Sequence, residues 1–296
     1  MGISLNRDET TAAGDQQRQD EANDLNDFLI GLARGLGGAL LFALPMQMTM
    51  EMWALGFTMD RWRLLLLLLV TLPLLFGIAR RIGFEKTFNW RDGLRDAMVA
   101  YGIGILSSAV LLSLFGLITG DMAREDLVGK IALQAVPASI GALLGRSQLG
   151  NGGEDDQDER DPAQPRTGYG TELFMMAVGA LFLNLNTAPT EEMILISYLM
   201  TPWHALLTIF LSIAVMHGFV YAVSFKGGHE LSDDVPRWHA LIRFTMPGYA
   251  IALLISVYCL WSFGRFDGAQ AMPALMAVIV LGLPGAVGAA AARLIL

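Results

Sequence analysis

Polar and apolar positions along this chain separate into long blocks and do not alternate. After a polar opening at 1–27, continuous apolar runs occupy about residues 28–57, 62–79, 95–118 and 127–145. A second polar segment at 147–169 follows, and four further apolar runs lie at about 171–200, 203–225, 239–264 and 272–292. Each run is long enough, as a helix, to cross a hydrocarbon core of about 30 Å. None carries the apolar-out, polar-in alternation of a membrane barrel strand. A helix satisfies its own backbone where there is no water to do so. The pattern therefore predicts an all-α membrane protein with eight transmembrane helices.

Composition agrees. The chain is 54% hydrophobic with a mean hydropathy of +0.48, and only 16% of it is charged, against about 25% in a soluble domain. The formal charge of −8 concentrates in the two polar segments, so it carries no argument for a nucleic-acid partner. Residues 1–27 are expected to form a disordered cytoplasmic tail, and 147–170 an acidic disordered linker, because neither can bury enough apolar surface to order itself. No signal peptide is expected in 1–27, and Asn6 stands where a myristoylation signal needs Ser or Thr. Cys259 is the only cysteine, which excludes an intrachain disulfide and a cysteine zinc site.

The blocks repeat. At an offset of 141, Gly38, Leu44, Thr49, Glu51, Met52, Trp62 and Gly77 meet Gly179, Leu185, Thr190, Glu192, Met193, Trp203 and Gly218. After a short insertion near Gly227-Gly228-His229, an offset of 148 matches Trp90, Arg95, Tyr101, Ser108 and Gly116 with Trp238, Arg243, Tyr249, Ser256 and Gly264. Pro137, Gly141 and Arg146 meet Pro284, Gly288 and Arg293 at 147. Chance apolar similarity does not return Trp, Pro, Gly and Arg in one order, so an internal duplication is inferred. Repeat 1 is expected at 28–146 and repeat 2 at 171–296. Each has four crossings, an even number, so both enter from the same side. The repeats are then parallel, related by a pseudo-two-fold axis along the membrane normal. Of the 20 Lys and Arg, all but Arg61, Arg63, Arg124, Lys130 and Arg265 fall on the side of the two termini. Basic residues mark the inner side, so a multi-pass protein of the cell inner membrane with both termini cytoplasmic is expected.

The candidate chemistry lies in the first block of each repeat. Both blocks carry Thr-x-Glu-Met inside apolar sequence, as Thr49…Met52 and Thr190…Met193. Each is too long for one straight crossing and is expected to break, at Pro45 in the first copy and Pro189 in the second. Broken helices near the midplane place carbonyls and helix ends around ions in many transporters. Counted along one axis, the Glu192 Cα should lie about 12 Å below the interface. An intramembrane carboxylate is costly and reads as functional. If the copies face each other, Glu51 and Glu192 form a carboxylate pair, with Thr49 and Thr190 as neutral ligands. Gln47, Glu191, Asn184 and Asn186 complete a candidate site for a hard cation or proton, with Glu51 and Glu192 as metal ligands. Close carboxylates resist joint ionisation, which would couple cation binding to proton release. The structural alternative is that the acids only lock the bundle, paired with Lys130 or Arg34.

Other features are expected to be structural. Met46, Met48, Met50 and Met52 could suggest a soft-metal path, but alternate positions on a helix diverge, so adaptable packing is the better reading. His217, with Tyr221 one turn on, is a candidate proton relay, set against a buried histidine with one hydrogen bond. Small residues such as Gly102, Gly104, Gly141 and Gly288 serve close helix contact. No nucleophile-and-base arrangement, phosphate-cradling loop or zinc pair appears, so an enzyme is not expected, nor is a cofactor.

Through the duplicated Gly-Ala-Leu…Thr-x-Glu-Met signature, residues 28–293 resemble bacterial two-repeat integral membrane families of unknown function, a likeness that supplies no substrate. The sequence reading is transport of a cation, as channel or cation/proton exchanger, through paired glutamates at the repeat interface. The alternative is a non-transporting scaffold or sensor whose acidic segments bind a partner. Expected partners are an inorganic cation or proton, membrane lipid and further copies of the chain in a homo-oligomer.

Overall fold

The computed structural model describes residues 5–82, 90–149, 168–224 and 241–295. These form ten α-helices and one π turn, with no strand among the described residues. In chain order they are α1 (Leu5–Gln47), α2 (Met50–Thr58), α3 (Arg61–Ile82), α4 (Trp90–Leu114), α5 (Arg124–Leu149), α6 (Tyr169–Thr187), α7 (Glu191–Leu199), α8 (Pro202–Ser224), the π turn Leu241–Thr245, α9 (Met246–Ser262) and α10 (Ala271–Ile295). Seven are long and apolar enough to cross a membrane, or up to eight if the bent pair α6–α7 is one span.

One expectation changes. The helix that opens the chain starts at Leu5, so residues 5–27, expected as a disordered tail, have a helical backbone. Their Ala, Gln, Glu and Arg content supports a helix locally even though it offers little to bury. Most of the expected linker, residues 150–167, lies outside the described residues, as does the Tyr221 side chain.

Within each half, the first and last spans meet through glycine. A Cβ on Gly38 would fall on the Gly141 carbonyl and the Gly145 backbone, and one on Gly145 would fall on Gly38. In the second half Gly179 and Gly288 meet in the same way, each against the other's carbonyl. Backbones so close leave no room for a side chain, and in lipid, where there is no hydrophobic drive between helices, dispersion contact of this kind holds spans together. In the first half α4 also packs on α5, and in the second α9 packs on α10. Leu133, Val136, Ile140 and Leu143 of α5 are fully buried or nearly so, as are Leu281, Ala286 and Ala289 of α10. The fourth span of each half is thus its central post.

The halves touch along a seam of rings. Phe42 of α1 meets Phe182 of α6 edge-on, centroids 5.5 Å apart, and Gly77 of α3 lies under the ring of Phe174. At one end of the bundle Arg63 makes a two-pronged ion pair with Asp267 at 2.8 Å, crossing from α3 to the α9–α10 loop, and stacks on Trp261.

Candidate functional site

Both expected breaks are present; the first follows a complete span, whereas α6 is apolar enough for a span only together with α7. Phe28–Gln47 is about 30 Å long and α6 about 28 Å at 1.5 Å per residue, close to the hydrocarbon thickness. In the second half the helix then turns through 93° into α7. Glu191 and Glu192 therefore lie past the bend, at the end of the bundle, and not midway along a straight span. The 12 Å depth assumed that the chain kept one direction. α1 runs through Pro45 and ends two residues later, whereas Pro189 lies in the break itself.

The breaks share one local design. Thr49 and Thr190 adopt extended backbone, at φ −93° and −68°, and precede the nine-residue helices α2 and α7. Neither hydroxyl caps the helix that follows. Thr49 donates back to the Met46 carbonyl and Thr190 to the Thr187 carbonyl, both at 2.8 Å. Each carbonyl also accepts the main-chain N–H of the same threonine, at 3.1 and 3.2 Å, so the hydroxyl is its second donor, while the hydroxyl oxygen keeps lone pairs for a further donor or cation. Glu51 falls in the first turn of α2, and Glu191 and Glu192 in that of α7, where the helix dipole favours negative charge.

Of the expected ligands, the amides turn inward. Gln47 is fully buried and donates from Nε2 to Ser108 Oγ at 3.1 Å. Asn184, also fully buried, donates from Nδ2 to Ser256 Oγ at 2.9 Å, and the Ser256 hydroxyl donates in turn to the Ala252 carbonyl. Ser108 and Ser256 are duplicated positions, so each half ties its first span to its third through an amide and a serine. Gln47 and Asn184 do this from positions one helical turn apart in the repeat alignment. Asn186 donates to the Phe182 carbonyl of its own helix at 2.8 Å. Gln134, absent from the expected site, is fully buried on α5 with neither end of its amide hydrogen-bonded.

The acids meet a residue the sequence reading used only for orientation. Arg265, in the α9–α10 loop, donates to the Pro189 carbonyl at the α6–α7 break. Burial pushes its pKa down, and the charges of Glu191 and then Glu51 push it back up. Carboxylates from both halves thus act on one guanidinium. Glu191 and Glu192 are exposed, Glu51 is half-buried, and an open cleft of about 520 Å³ is lined by Glu191, Glu192, Ile194, Leu195, Tyr198 and Arg265. Arg265 had no signal in the repeat, because its counterpart at the offset of 148 is Leu117. In the first half Lys130 takes the neighbouring place: its Nζ donates to the Leu117 carbonyl at 3.0 Å and lies over the Phe57 ring.

Among the described residues, no group of three or more His, Cys, Asp or Glu side chains gathers to hold a metal. Met46, near the end of α1, and Met52 of α2 are buried, while Met48 in the break and Met50 of α2 are exposed; only Met50 and Met52 are alternate positions on one helix, and those two diverge. The His217 Nδ1 lies 3.0 Å from Thr245 Oγ1 at the π turn.

Apolar helices of spanning length, satisfied internally and packed through glycine, define a multi-pass integral membrane protein. A family model described as "Putative integral membrane protein (DUF2391)" matches residues 31–296, and the chain belongs to that family. No curated protein and no solved structure matches it.

Proposed function

We propose that this protein moves a cation across the inner membrane, between two parallel four-helix repeats related by a pseudo-two-fold axis along the membrane normal. The repeated Gly-Gly crossings, amide–serine ties and threonine-ended breaks support that arrangement, and the excess of Lys and Arg on the side of the termini supports a cytoplasmic location for both. The observation that carries the transport reading is Arg265, held on the Pro189 carbonyl in one cleft with Glu191 and Glu192 and within electrostatic reach of Glu51. A guanidinium among carboxylates stands where a mobile cation would stand, so it acts as a tethered counter-ion at the mouth of the path. An incoming cation or proton that neutralises Glu51, Glu191 or Glu192 leaves Arg265 held by the Pro189 carbonyl alone, and its exit restores the pull of the carboxylates on the guanidinium. The cycle involves no covalent chemistry.

The test is cation-dependent flux in proteoliposomes. Glu51→Gln and Glu192→Gln should each abolish it while leaving expression and melting temperature unchanged. Wild-type flux in both variants refutes the assignment.

A further inference from the structure

The cleft on α7 is built for more than a bare ion. A hard-cation cage needs several oxygens converging at about 2.3–2.6 Å, whereas this opening of about 520 Å³ is in the range of sites for multi-atom ligands. Its lining carries both signs of charge and an apolar wall: Arg265 and Glu191 with Glu192, then Ile194, Leu195 and Tyr198. We propose that it binds the headgroup of an aminophospholipid, with the phosphate on Arg265, the primary ammonium on Glu191 and Glu192, and the acyl chains leaving over Leu195 and Tyr198.

Three observations carry this. Arg265 uses one nitrogen on the Pro189 carbonyl, and its buried Nε has no hydrogen-bond partner. A guanidinium has five N–H donors, and two in parallel match a phosphate. The cleft takes Arg265 from the α9–α10 loop, at one end of the bundle, and Tyr198 and Trp203 on the same stretch of chain are 62% and 75% exposed, as aromatic residues at headgroup depth are. Leu195 and Leu199, 59% and 70% exposed, continue from the cleft as an apolar surface suited to acyl chains. Charge then selects among lipids. Two carboxylates beside one guanidinium suit a phosphate that carries its own ammonium. A glycerol headgroup leaves both carboxylates unmatched, and a choline headgroup cannot donate hydrogen bonds to them. The proposal goes beyond the transport reading, since binding requires no flux.

Full-length protein in non-ionic detergent would be titrated with phosphatidylethanolamine, phosphatidylcholine and phosphatidylglycerol of identical acyl chains, with bound lipid counted by native mass spectrometry. Phosphatidylethanolamine should bind preferentially, by up to about five-fold for each exposed charge pair. Glu191→Gln with Glu192→Gln should erase the preference over phosphatidylglycerol. Arg265→Gln should weaken binding of all three, and Arg265→Lys should restore part of it. The two glutamates are exposed, so their variant keeps the test alive if Arg265→Gln misfolds. Equal binding of the three lipids, a preference that survives both sets of variants, or displacement by equimolar soluble glycerophosphoethanolamine would overturn the proposal. Because no flux enters the readout, its failure is separate from failure of the transport reading.

Discussion

Single glycines and amides set the tightest constraints. Gly179→Ala drives a methyl into the Gly288 carbonyl, and with backbone on the far side nothing can rotate away. It should cost about 1–3 kcal/mol, read as a lower melting temperature in detergent. Gly102→Ala is the control: a Cβ there meets nothing within 4 Å, and mid-helix alanine should be neutral or stabilising by up to about 1 kcal/mol. Ser256→Ala would strip the Asn184 amide of its only hydrogen bond, since Asn184 Oδ1 already has none. That should cost about 1–3 kcal/mol, and adding Asn184→Leu should recover part of it by removing the stranded group. The serines were visible in the repeat as an aligned pair. Their partners were not, because Gln47 and Asn184 reach them from different turns and so do not align with each other.

At the scale of elements, the spans were legible as apolar blocks and the breaks from their prolines, but the direction the chain takes after a break was not. Hydropathy counts residues along the chain and is blind to direction, so the run 171–200, expected to break at Pro189, gave no sign that α7 leaves α6 at 93°. The π turn before α9 was equally hidden. Pro247 has no N–H to offer the Arg243 carbonyl four residues back, and that carbonyl instead accepts the Tyr169 hydroxyl at 2.8 Å. Tyr169→Phe should therefore cost about 1 kcal/mol. In a Pro247→Ala background, where a main-chain donor is restored, the same change should cost less. A double-mutant cycle on melting temperature reads the coupling, and equal costs in both backgrounds would show that the proline does not set that bond.

For the whole molecule, the duplication in the sequence announced two similar halves but not what joins them. The joining residues, Arg63, Asp267 and Arg265, have no duplicated signature. Arg63 holds the Asp267 carboxyl below its ordinary pKa, chiefly by hydrogen bonding. A depressed acid contributes stability above its unfolded pKa of about 3.9, and that contribution is lost as pH falls through the lower folded value. Acid below about pH 4 should thus loosen this clasp first, seen as faster proteolysis of the α9–α10 loop, and Asp267→Asn should remove the pH dependence. Cys259 gives a global probe: it is fully buried, so a maleimide should label it only after denaturation. Labelling of the native protein would place α9 on an accessible surface.

The glycine crossings also decide where this molecule can bend. Two helices whose main chains touch have no intervening side chains to reshuffle, so neither can slide without lifting off the other. Each half should therefore behave as a stiff stave. What compliance there is lies in the strip of phenylalanine rings between the halves, which can roll past one another, and is limited at one end by a salt bridge that water can reach.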